Sequence, residues 1–393
     1  MKLYQISKFQ RLTADNKTQI FMNTISIIGA GIGGLTLGNI LKQHQYDFMI
    51  YEAAPEIKPV GAGIMMAINA MQVFDQLGLK EKIENAGNKV HRIVIANESL
   101  QPISKTEILE LEAQYNSCNV AIHRAELQRI LAENLSPDAI QLNHSLQKIE
   151  KRENYILDFE NGNHIESQIV FGADGIKSPI RNQILKTGTI RNSGQKCWRG
   201  LLDFDLPEKH HQEAFEMWGK GKRFGFVKIS DKKVYWYACV NEKSFGRSVE
   251  IADIFNDFDP LVLQLIEATA SENIICNTIS DLAPIPQWYS ENLCLIGDAA
   301  HATTPNMGQG ACQAIEDAYI IGKLLEKSQD FNTIFKTFQS IRRKKVDYIV
   351  NTSRTIGKVS QWERGNSLRN FLMGLIPETM NQKMAKKIIE LEM

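Results

Sequence analysis

Three glycines near the start of the sequence have the spacing G-x-G-x-x-G. Their turn contains Gly29, Ala30, Gly31, Gly33 and Gly34. Because glycine has no Cβ, such a turn can bend tightly and let a pyrophosphate approach backbone N–H groups. The N-terminus of a following helix adds partial positive charge. The spacing predicts a dinucleotide site, although an ordinary glycine-rich turn would share it.

The residues around this turn predict a βαβ unit. An apolar run (TISIIG) leads into the glycines, a helical pattern (LTLGNILKQH) follows them, and a second apolar run (YDFMIYE) comes next. That order is typical of two buried parallel strands joined by a helix. Glu52 ends the second strand, where its carboxylate can accept hydrogen bonds from ribose hydroxyls. The context favours the dinucleotide interpretation.

Two later motifs place an aspartate after an apolar run. The first is GADG at residues 172–175, which contains Asp174. The second is LIGDAAH at residues 295–301, which contains Gly297 and Asp298. It is followed by Pro305, Gly308, Gln309 and Gly310. An aspartate at a strand end is commonly a turn or capping residue, so each motif alone allows that interpretation.

The composition of the 393-residue chain is that of a globular protein, with 43% hydrophobic and 23% charged residues. Its 45 basic residues balance 45 acidic ones, which gives no reason to expect a nucleic-acid partner. The 6 cysteines form no C-x-x-C pair, and no metal site is predicted. We expect no transmembrane helix, a polar leader at residues 1–21 rather than a signal peptide, and a cytoplasmic location.

The pattern along the chain predicts an α/β fold with a discontinuous Rossmann-like domain, at residues 22–190 and 275–330. Residues 191–274 interleave aromatic and polar side chains, which predicts an inserted antiparallel sheet and helices that form a substrate domain. Residues 331–393 have helical patterns. Within the first domain, Asn161-Gly162 predicts a hairpin turn.

In combination, these motifs resemble the FAD-dependent aromatic hydroxylases, the single-component flavoprotein monooxygenases of the para-hydroxybenzoate hydroxylase type. The resemblance runs from Met22 to about residue 375. It is nearest to the branch of zeaxanthin epoxidase and salicylate hydroxylase. The segments that carry this are GAGI at residues 61–64, HRAEL at residues 123–127, and WGKGKRFGF and VYWYA within residues 218–238.

The resemblance implies that the Rossmann-like domain binds FAD noncovalently. The first glycine turn would hold the pyrophosphate, Glu52 the adenosine ribose, and Arg124 the pyrophosphate or flavin. Arg124 could instead be a surface cation that starts a helix. Asp298 would bond the ribityl or pyrophosphate region, and Asp174 would act on FAD and the nicotinamide donor. Other positions implied at the cofactor are Gly63, Gly297, Pro305, Gly308, Gln309 and Gly310, the last three through a backbone near the isoalloxazine.

The implied reaction is oxygen insertion with NADPH or NADH as transient electron donor. O2 would form a flavin C4a-hydroperoxide that hydroxylates a small aromatic or polycyclic phenolic compound. Two alternatives stay open, namely hydroxylation or epoxidation of an isoprenoid alkene, and a FAD-dependent reductase without oxygen insertion. We expect a monomer or a homodimer.

No catalytic residue is identified from the sequence, but the middle sheet offers candidates for the substrate pocket. They are Arg199, Arg223, Trp236 and Tyr237. Each also has a structural interpretation, because one face of the sheet must pack a core. The same holds for Met65, Met66 and Met71. His211 is a possible base, but a solvated loop histidine suits its segment better, and His301 is interpreted as a structural group near FAD.

The last part of the chain carries two surface predictions. The run Arg342–Lys345 predicts the exposed face of a helix. Residues 370–393 are amphipathic, and we expect them to dock on the protein's own surface, with membrane contact as the alternative.

Overall fold

The computed structural model describes residues 20–57, 62–244 and 250–392. The strands are β1 (Ile20–Ile28), β2 (Phe48–Tyr51), β3 (Gly63–Met66), β4 (Asn88–Val90), β5 (Arg92–Ala96), β6 (Pro102–Glu107), β7 (Asn119–His123), β8 (Ile140–Gln141), β9 (Leu146–Lys151), β10 (Tyr155–Phe159), β11 (His164–Gly172), β12 (Ile190–Asp203), β13 (Glu213–Trp218), β14 (Lys222–Lys228), β15 (Lys233–Asn241), β16 (Ile274–Leu282), β17 (Tyr289–Ser290) and β18 (Leu293–Leu295).

The helices lie among the strands, and the last five described helices follow the last strand. They are α1 (Ile32–Gln43), α2 (Ile68–Gln76), α3 (Lys80–Ala86), α4 (Leu109–Tyr115), α5 (Arg124–Glu133), α6 (Ile251–Ile254), α7 (Pro260–Glu267), α8 (Asp298–His301), α9 (Gly310–Leu325), α10 (Phe331–Ser360), α11 (Asn366–Gly374) and α12 (Glu378–Ile389). The predicted leader lies outside the described residues except for Ile20 and Phe21, which begin β1. Gly61 of the GAGI segment also lies outside them.

An eight-stranded sheet forms the first domain and confirms the Rossmann-like fold. β1 pairs in parallel with β2 on one side and with β11 on the other, and β11 pairs in parallel with β18. β9 and β10 extend β11 as antiparallel strands, with the predicted turn at Gly162 (φ +85°). α1 and α9 pack closely, since a Cβ at Gly33 would lie 3.0 Å from that of Ala314. Small residues therefore bring the two helices together beside β1.

A second, seven-stranded sheet has the order β16-β12-β15-β14-β13-β5-β6. Its neighbours are antiparallel except β13 and β5, which run in parallel. One face packs a core of large apolar side chains against α6 and α7. β5 and β6 lie at residues 92–107, outside the range 191–274, so this sheet also recruits an earlier part of the chain. The division into domains by residue number stays a prediction.

The 30-residue helix α10 packs against α9 and corrects one prediction. Residues 342–345 do not form an exposed face, because Arg342 is 0% and Lys345 7% exposed. Residues three apart share one side of a helix, and here that side faces the acidic residues of α9. Within the described ranges, no helix is long and apolar enough to cross a bilayer.

Candidate active site

Backbone geometry requires glycine at two positions of the first turn. Gly29 has a φ of +107°, and a Cβ there would lie 2.4 Å from the carbonyl oxygen of Ala173. At Gly34 a Cβ would lie 2.0 Å from the carbonyl oxygen of Gly29. α1 can therefore start this close to β1 only because position 34 has no side chain.

Gly31 differs from these two glycines, because the fold itself does not require glycine at this position. Its φ is −67°, which any residue can adopt, and a Cβ there would meet no described protein atom within 4 Å. The open space lies at the N-terminus of α1, where backbone N–H groups have no partner inside the helix. An anion placed there would meet both these N–H groups and the positive end of the helix dipole.

Glu52 connects the end of β2 to this turn. One carboxylate oxygen accepts a hydrogen bond from Ala30 N–H at 2.7 Å, and the other accepts one from Ala54 N–H at 2.9 Å. An ionised carboxylate can accept about four hydrogen bonds, so acceptor capacity remains for hydroxyl groups. The sequence predicted a role with ribose for Glu52 but not its bond to the glycine turn.

Asp174 follows β11 and carries an unsatisfied acceptor. One of its oxygens, Oδ2, accepts a hydrogen bond from Ile180 N–H at 3.1 Å, while the buried Oδ1 has no partner among the described residues. Burial raises the pKa of this carboxyl to about 6, although Ser178, backbone N–H groups and Arg181 act in the opposite direction. Such a group is ready to accept a hydrogen bond from a ligand.

Replacing Asp174 with asparagine should stabilise the cofactor-free protein at neutral pH. Because the folded-state pKa lies above the usual value, the folded state binds more protons than the unfolded state between about pH 4 and 6. The stability of the wild type should therefore fall as pH rises through this window, and Asp174→Asn should recover about 1–3 kcal/mol. Chemical denaturation across this pH range checks it, with the exposed Asp138→Asn as matched control. Parallel pH profiles for wild type and Asp174→Asn would contradict it.

Asp298 and Arg124 border a solvent-accessible region at the start of α8, which we call the cleft. Asp298 starts α8, and its side chain is exposed to solvent, yet desolvation by the surrounding protein raises the pKa of its carboxyl. His301 and then Arg124 oppose that rise, so the Arg124 cation is close enough to act on this carboxylate. Arg124 begins α5 with an exposed side chain, and no ion pair in the described part of the chain engages it. Both side chains are thus accessible from the same opening.

The N-terminus of α9 faces the same cleft. Gly308 has a φ of +62°, and a Cβ at Gly310 would come within 4.0 Å of Asp298 Oδ1. The side chain of Gln309 is buried and accepts hydrogen bonds from Asn69 and Gln313, so it anchors the backbone. Pro305 leads into this segment through a short 3-10 helix, and Gly297 (φ +56°) packs on α9 at Ala314.

The second sheet turns a polar face toward this loop. Across the strands, Arg199 pairs with Tyr237, and Arg223 pairs with Cys239 two residues further along the same face. Two contacts join this face to the first domain. Arg223 donates a hydrogen bond to the side-chain oxygen of Asn306, and a Cβ at Gly63 would lie 2.5 Å from Cγ of Tyr235. Three of the four predicted pocket residues therefore share one face beside the cleft.

Trp236 is the exception, and its prediction as a pocket residue is corrected. It is 0% exposed and lies on the opposite face, stacked on Phe224, with its indole N–H donating to Thr269 at 2.8 Å. Successive residues of a strand point to opposite faces, so Trp236 and Tyr237 could not both line the pocket.

Glu216 is the centre of the polar contacts on the pocket face, and the sequence did not identify it. Its carboxylate accepts hydrogen bonds from the Trp218 indole at 2.7 Å, from Arg223 at 3.0 Å and from the hydroxyl of Tyr237. Burial and then the Glu216 charge raise the pKa of Tyr237, so its hydroxyl keeps its proton. We call these four side chains the Glu216 cluster. Their only sequence signal is alternation within EAFEMW.

Arg199 stands beside this cluster with free hydrogen-bonding capacity. Its guanidinium donates to the side chain of Asn277 at 2.6 Å, while its buried Nε has no partner in the described part of the chain. The Nε of Arg223 is likewise buried without a partner among the described residues, but Arg223 is 1% exposed and its terminal nitrogens are held by Glu216 and Asn306. Arg223 therefore positions the cluster, and Arg199 can bind a ligand.

The remaining candidates have structural positions. His301 is buried and contacts Asp317 at 2.6 Å, and His211 contacts the carbonyl oxygen of Leu206 at 2.7 Å. Met66 and Met71 are fully buried in the main core. Met65 is half-buried, and its methyl group would lie 3.7 Å from a Cβ at Gly308. Met65 is therefore the one of these residues that reaches the cleft loop.

A network of buried charges, which the sequence did not predict, supports the loop from below. Arg342 donates to Glu316 at 2.7 Å and to Asp317 at 2.9 Å, and Lys345 donates to Glu316 at 2.7 Å. Asp317 also accepts the backbone N–H of Gly297 at 2.9 Å. The network thus holds the residue that precedes Asp298.

Comparisons with known proteins identify the family. A family model described as an FAD binding domain matches residues 22–353. The aurachin C monooxygenase/isomerase of Stigmatella aurantiaca is 34% identical over 346 residues, which cover 86% of this chain and 90% of that protein. The 2-heptyl-3-hydroxy-4(1H)-quinolone synthase of Pseudomonas aeruginosa is 31% identical over 380 residues, covering 93% and 97%.

A solved structure supports the same assignment. Klebsiella pneumoniae HpxO, complexed with FAD and uric acid, has a TM-score of 0.84 at 25% identity, covering 93% of this chain and 96% of that one. The resemblance seen in the sequence is thereby confirmed, as is the use of FAD. This chain belongs to the family of FAD-dependent aromatic monooxygenases.

Proposed function

We propose that this monooxygenase hydroxylates a ring carbon of an alkyl-substituted bicyclic nitrogen heteroaromatic, of the 4-quinolone class. The observation that carries the proposal is the Glu216 cluster, an acid–base group that is tied through Arg223 and Asn306 to the loop before α9. A quinolone has an ionisable ring N–H and carbonyl for such a group to bind. The similarity to the Pseudomonas aeruginosa 2-heptyl-3-hydroxy-4(1H)-quinolone synthase supports this choice of substrate class.

The positions around the cleft fit FAD. The open space at Gly31 and the N-terminus of α1 suit the pyrophosphate, and the spare acceptors of Glu52 suit the adenosine ribose. The unpartnered Oδ1 of Asp174, the accessible Asp298 and the exposed cation of Arg124 suit the ribityl and phosphate groups. The first N–H groups of α9 suit the negative edge of a reduced isoalloxazine. These assignments extend to Gly63, Gly297, Pro305, Gly308, Gln309 and Gly310.

When bound, FAD supplies electron transfer from NADPH or NADH and the activation of O2. The chain's own residues bind and orient the acceptor. Arg199 offers its free Nε–H to a substrate carbonyl oxygen. The hydroxyl of Tyr237 donates a hydrogen bond to the Glu216 carboxylate. Through this hydrogen bond the pair can take up the proton that is released when the ring N–H or hydroxyl of the substrate ionises.

The acid–base cluster also separates this substrate class from an isoprenoid alkene. An alkene has no acidic proton for Tyr237 and Glu216 to receive and no carbonyl for Arg199. Burying an ion pair costs desolvation free energy, and contacts with a polar substrate would offset part of that cost. The polar groups of this face therefore match a heteroaromatic substrate better than they match an alkene. We further propose a cytoplasmic enzyme, monomeric or homodimeric, consistent with its free cysteines.

Anaerobic reduction of the bound flavin tests the proposal. NADPH and NADH are each mixed with the holoenzyme alone and with 2-alkyl-4-quinolones, simple phenols and an isoprenoid alkene, and flavin absorbance is followed. We expect an alkylquinolone to accelerate bleaching more than any phenol or alkene, and aerobic turnover to give a monohydroxylated quinolone. Acceleration by the alkene alone, with an epoxide as product, would overturn the substrate class.

Tyr237→Phe should lower kcat by about 10- to 100-fold with the fold intact. The ring lies over Gly225 and would remain, while Glu216 keeps its bonds from Trp218 and Arg223. The loss should be largest at low pH, where an unionised substrate needs help to release its proton. Steady-state kinetics across pH measure it, with Tyr235→Phe as matched control on the same strand and face. Equal effects of the two substitutions would argue against a specific role for Tyr237.

A further inference from the structure

Helix α11 carries an apolar stripe that faces solvent. Leu368, Phe371, Leu372 and Leu375 follow one another at helical spacing, and each is between 51% and 63% exposed. On α12, Met380 and Met384 are exposed as well. Monomeric proteins rarely leave contiguous apolar surface of this kind uncovered. We call these six side chains the apolar stripe.

The orientation of α11 is fixed by a charged residue that points inward. Arg369 is 2% exposed and donates hydrogen bonds to the carbonyl oxygens of Ser360 at 2.7 Å and Gly219 at 3.3 Å. Its guanidinium also lies 5.3 Å from the ring centre of Trp218. Rotating the helix to bury the apolar stripe would remove this arginine from its partners. The outward direction of the stripe is thus built into the fold.

The exposed charges near the apolar stripe are mostly positive. Between residues 364 and 389 they are the cations Arg364, Lys383, Lys386 and Lys387 and one acid, Glu378, which accepts a hydrogen bond from Glu107 N–H. Glu363, which precedes this segment, is exposed as well and accepts from Asn241 and Ser244. The cations Arg364, Lys383 and Lys386 are exposed and have no ion-pair partner among the described residues. An apolar stripe bordered by unpaired cations is complementary to an anionic lipid surface.

The apolar stripe also lies close to the substrate side of the enzyme. Arg369 binds the carbonyl oxygen of Trp218, whose indole N–H donates to Glu216 in the pocket face. α11 therefore contacts Trp218, a member of the Glu216 cluster, directly. Both helices also dock on the protein, α11 through Arg369 and α12 through the buried Ile389, so the predicted self-docking holds while the apolar stripe stays exposed.

We propose that α11 and the start of α12 bind an anionic membrane surface, with the apolar stripe inserted among the lipids and the cations at the headgroups. The charge arrangement favours lipid over a second copy of the chain, whose own cations would repel these. Delivery of an alkyl-substituted substrate from the membrane to the pocket would follow, and this consequence alone rests on the proposed function. Binding itself requires no substrate.

Vesicle co-sedimentation of the holoenzyme, without substrate, tests the inference. The probes are vesicles of phosphatidylcholine alone and of phosphatidylcholine mixed with phosphatidylglycerol. We expect binding to the anionic vesicles that falls with added salt, and a loss of about ten-fold or more in affinity for the double variant Phe371→Ser/Leu375→Ser. Ile190→Ser, at another exposed apolar side chain, is the matched control. Flavin absorbance and thermal unfolding confirm that each variant is folded.

A second variant and a second measurement make the test decisive. Lys383→Gln/Lys386→Gln should reduce the preference for anionic vesicles while the apolar stripe stays intact. Absence of binding to the anionic vesicles would overturn the inference, as would unchanged binding of Phe371→Ser/Leu375→Ser. A dimer that this double variant converts to monomer, without vesicle binding by the wild type, would assign the stripe to a second copy instead. Hydroxylation of a short-chain substrate in buffer is unaffected by any of these results, so the proposed function is judged separately.

Discussion

Gly31→Ala is expected to leave the fold intact and to weaken FAD binding by about 10- to 100-fold. The backbone at Gly31 suits any residue, and the added Cβ would meet no described protein atom within 4 Å. Within the described residues it would obstruct nothing, so its effect should fall on the pyrophosphate that we place at the N-terminus of α1. Titration of the cofactor-free protein with FAD, followed by flavin fluorescence, measures the effect.

Gly34→Ala provides the contrast to Gly31→Ala. Its Cβ would lie 2.0 Å from the carbonyl oxygen of Gly29, a clash with backbone that no side-chain motion can relieve. We therefore expect Gly34→Ala to lower the thermal stability of the cofactor-free protein, whereas Gly31→Ala should not. If Gly31→Ala bound FAD as tightly as the wild type, the pyrophosphate would have to lie elsewhere.

Arg342→Met should destabilise the protein by about 3–5 kcal/mol. The arginine is fully buried and neutralises Glu316 and Asp317, which are fully buried as well. After its removal, Lys345 is the remaining partner of Glu316, and His301 is the remaining partner of Asp317. Chemical denaturation gives the free energy of unfolding. Arg343→Met is the matched control, since its half-exposed pair with Asp347 should contribute less than about 1 kcal/mol.

The same substitution should move acid unfolding to higher pH. Burial alone would raise the pKa of Asp317, but His301 and then Arg342 outweigh it and lower the pKa to about 2. A depressed carboxyl pKa stabilises the fold above about pH 4, and that contribution is lost as pH falls toward 2. Without Arg342 the pKa of Asp317 rises, so the loss begins at a higher pH. Acid titrations that coincide for wild type and Arg342→Met would contradict this account.

Local patterns were sufficient to predict the parallel strands at the centre of the first sheet. The glycine turn, the apolar runs on either side of it and the Asn161-Gly162 hairpin each depend on residues that are neighbours in the sequence. The aspartates that follow β11 and β18 could be placed at one end of the sheet for the same reason. The sequence patterns could not show that Oδ1 of Asp174 lacks a hydrogen-bond partner, because that depends on burial in three dimensions.

The pocket face depended on strand register, which alternation alone did not settle. Trp236 and Tyr237 are adjacent and aromatic, and only the pairing of β15 with β12 and β14 shows which of them faces the cleft. Glu216 was missed because a single glutamate in a strand commonly faces solvent. Its partners come from β13, β14 and β15, so no short motif could have contained them.

The basic run in α10 was interpreted from its composition alone, whereas helical periodicity shows which of its residues share one face of the helix. Residues 342 and 345 share one face of a helix, and α9 contains adjacent acids, Glu316 and Asp317, within an otherwise apolar segment. Buried acids require partners of opposite charge. Matching those acids to a basic helix face would have predicted the buried network.

Turnover under isotopically labelled O2 tests the central claim most directly. The holoenzyme, NADPH or NADH and a 2-alkyl-4-quinolone are incubated with labelled O2, and the product is analysed by mass spectrometry. The account predicts a monohydroxylated product that carries one labelled oxygen atom, with nucleotide consumption in step with product. Nucleotide oxidation that yields only hydrogen peroxide, or a product whose oxygen comes from water, would contradict it.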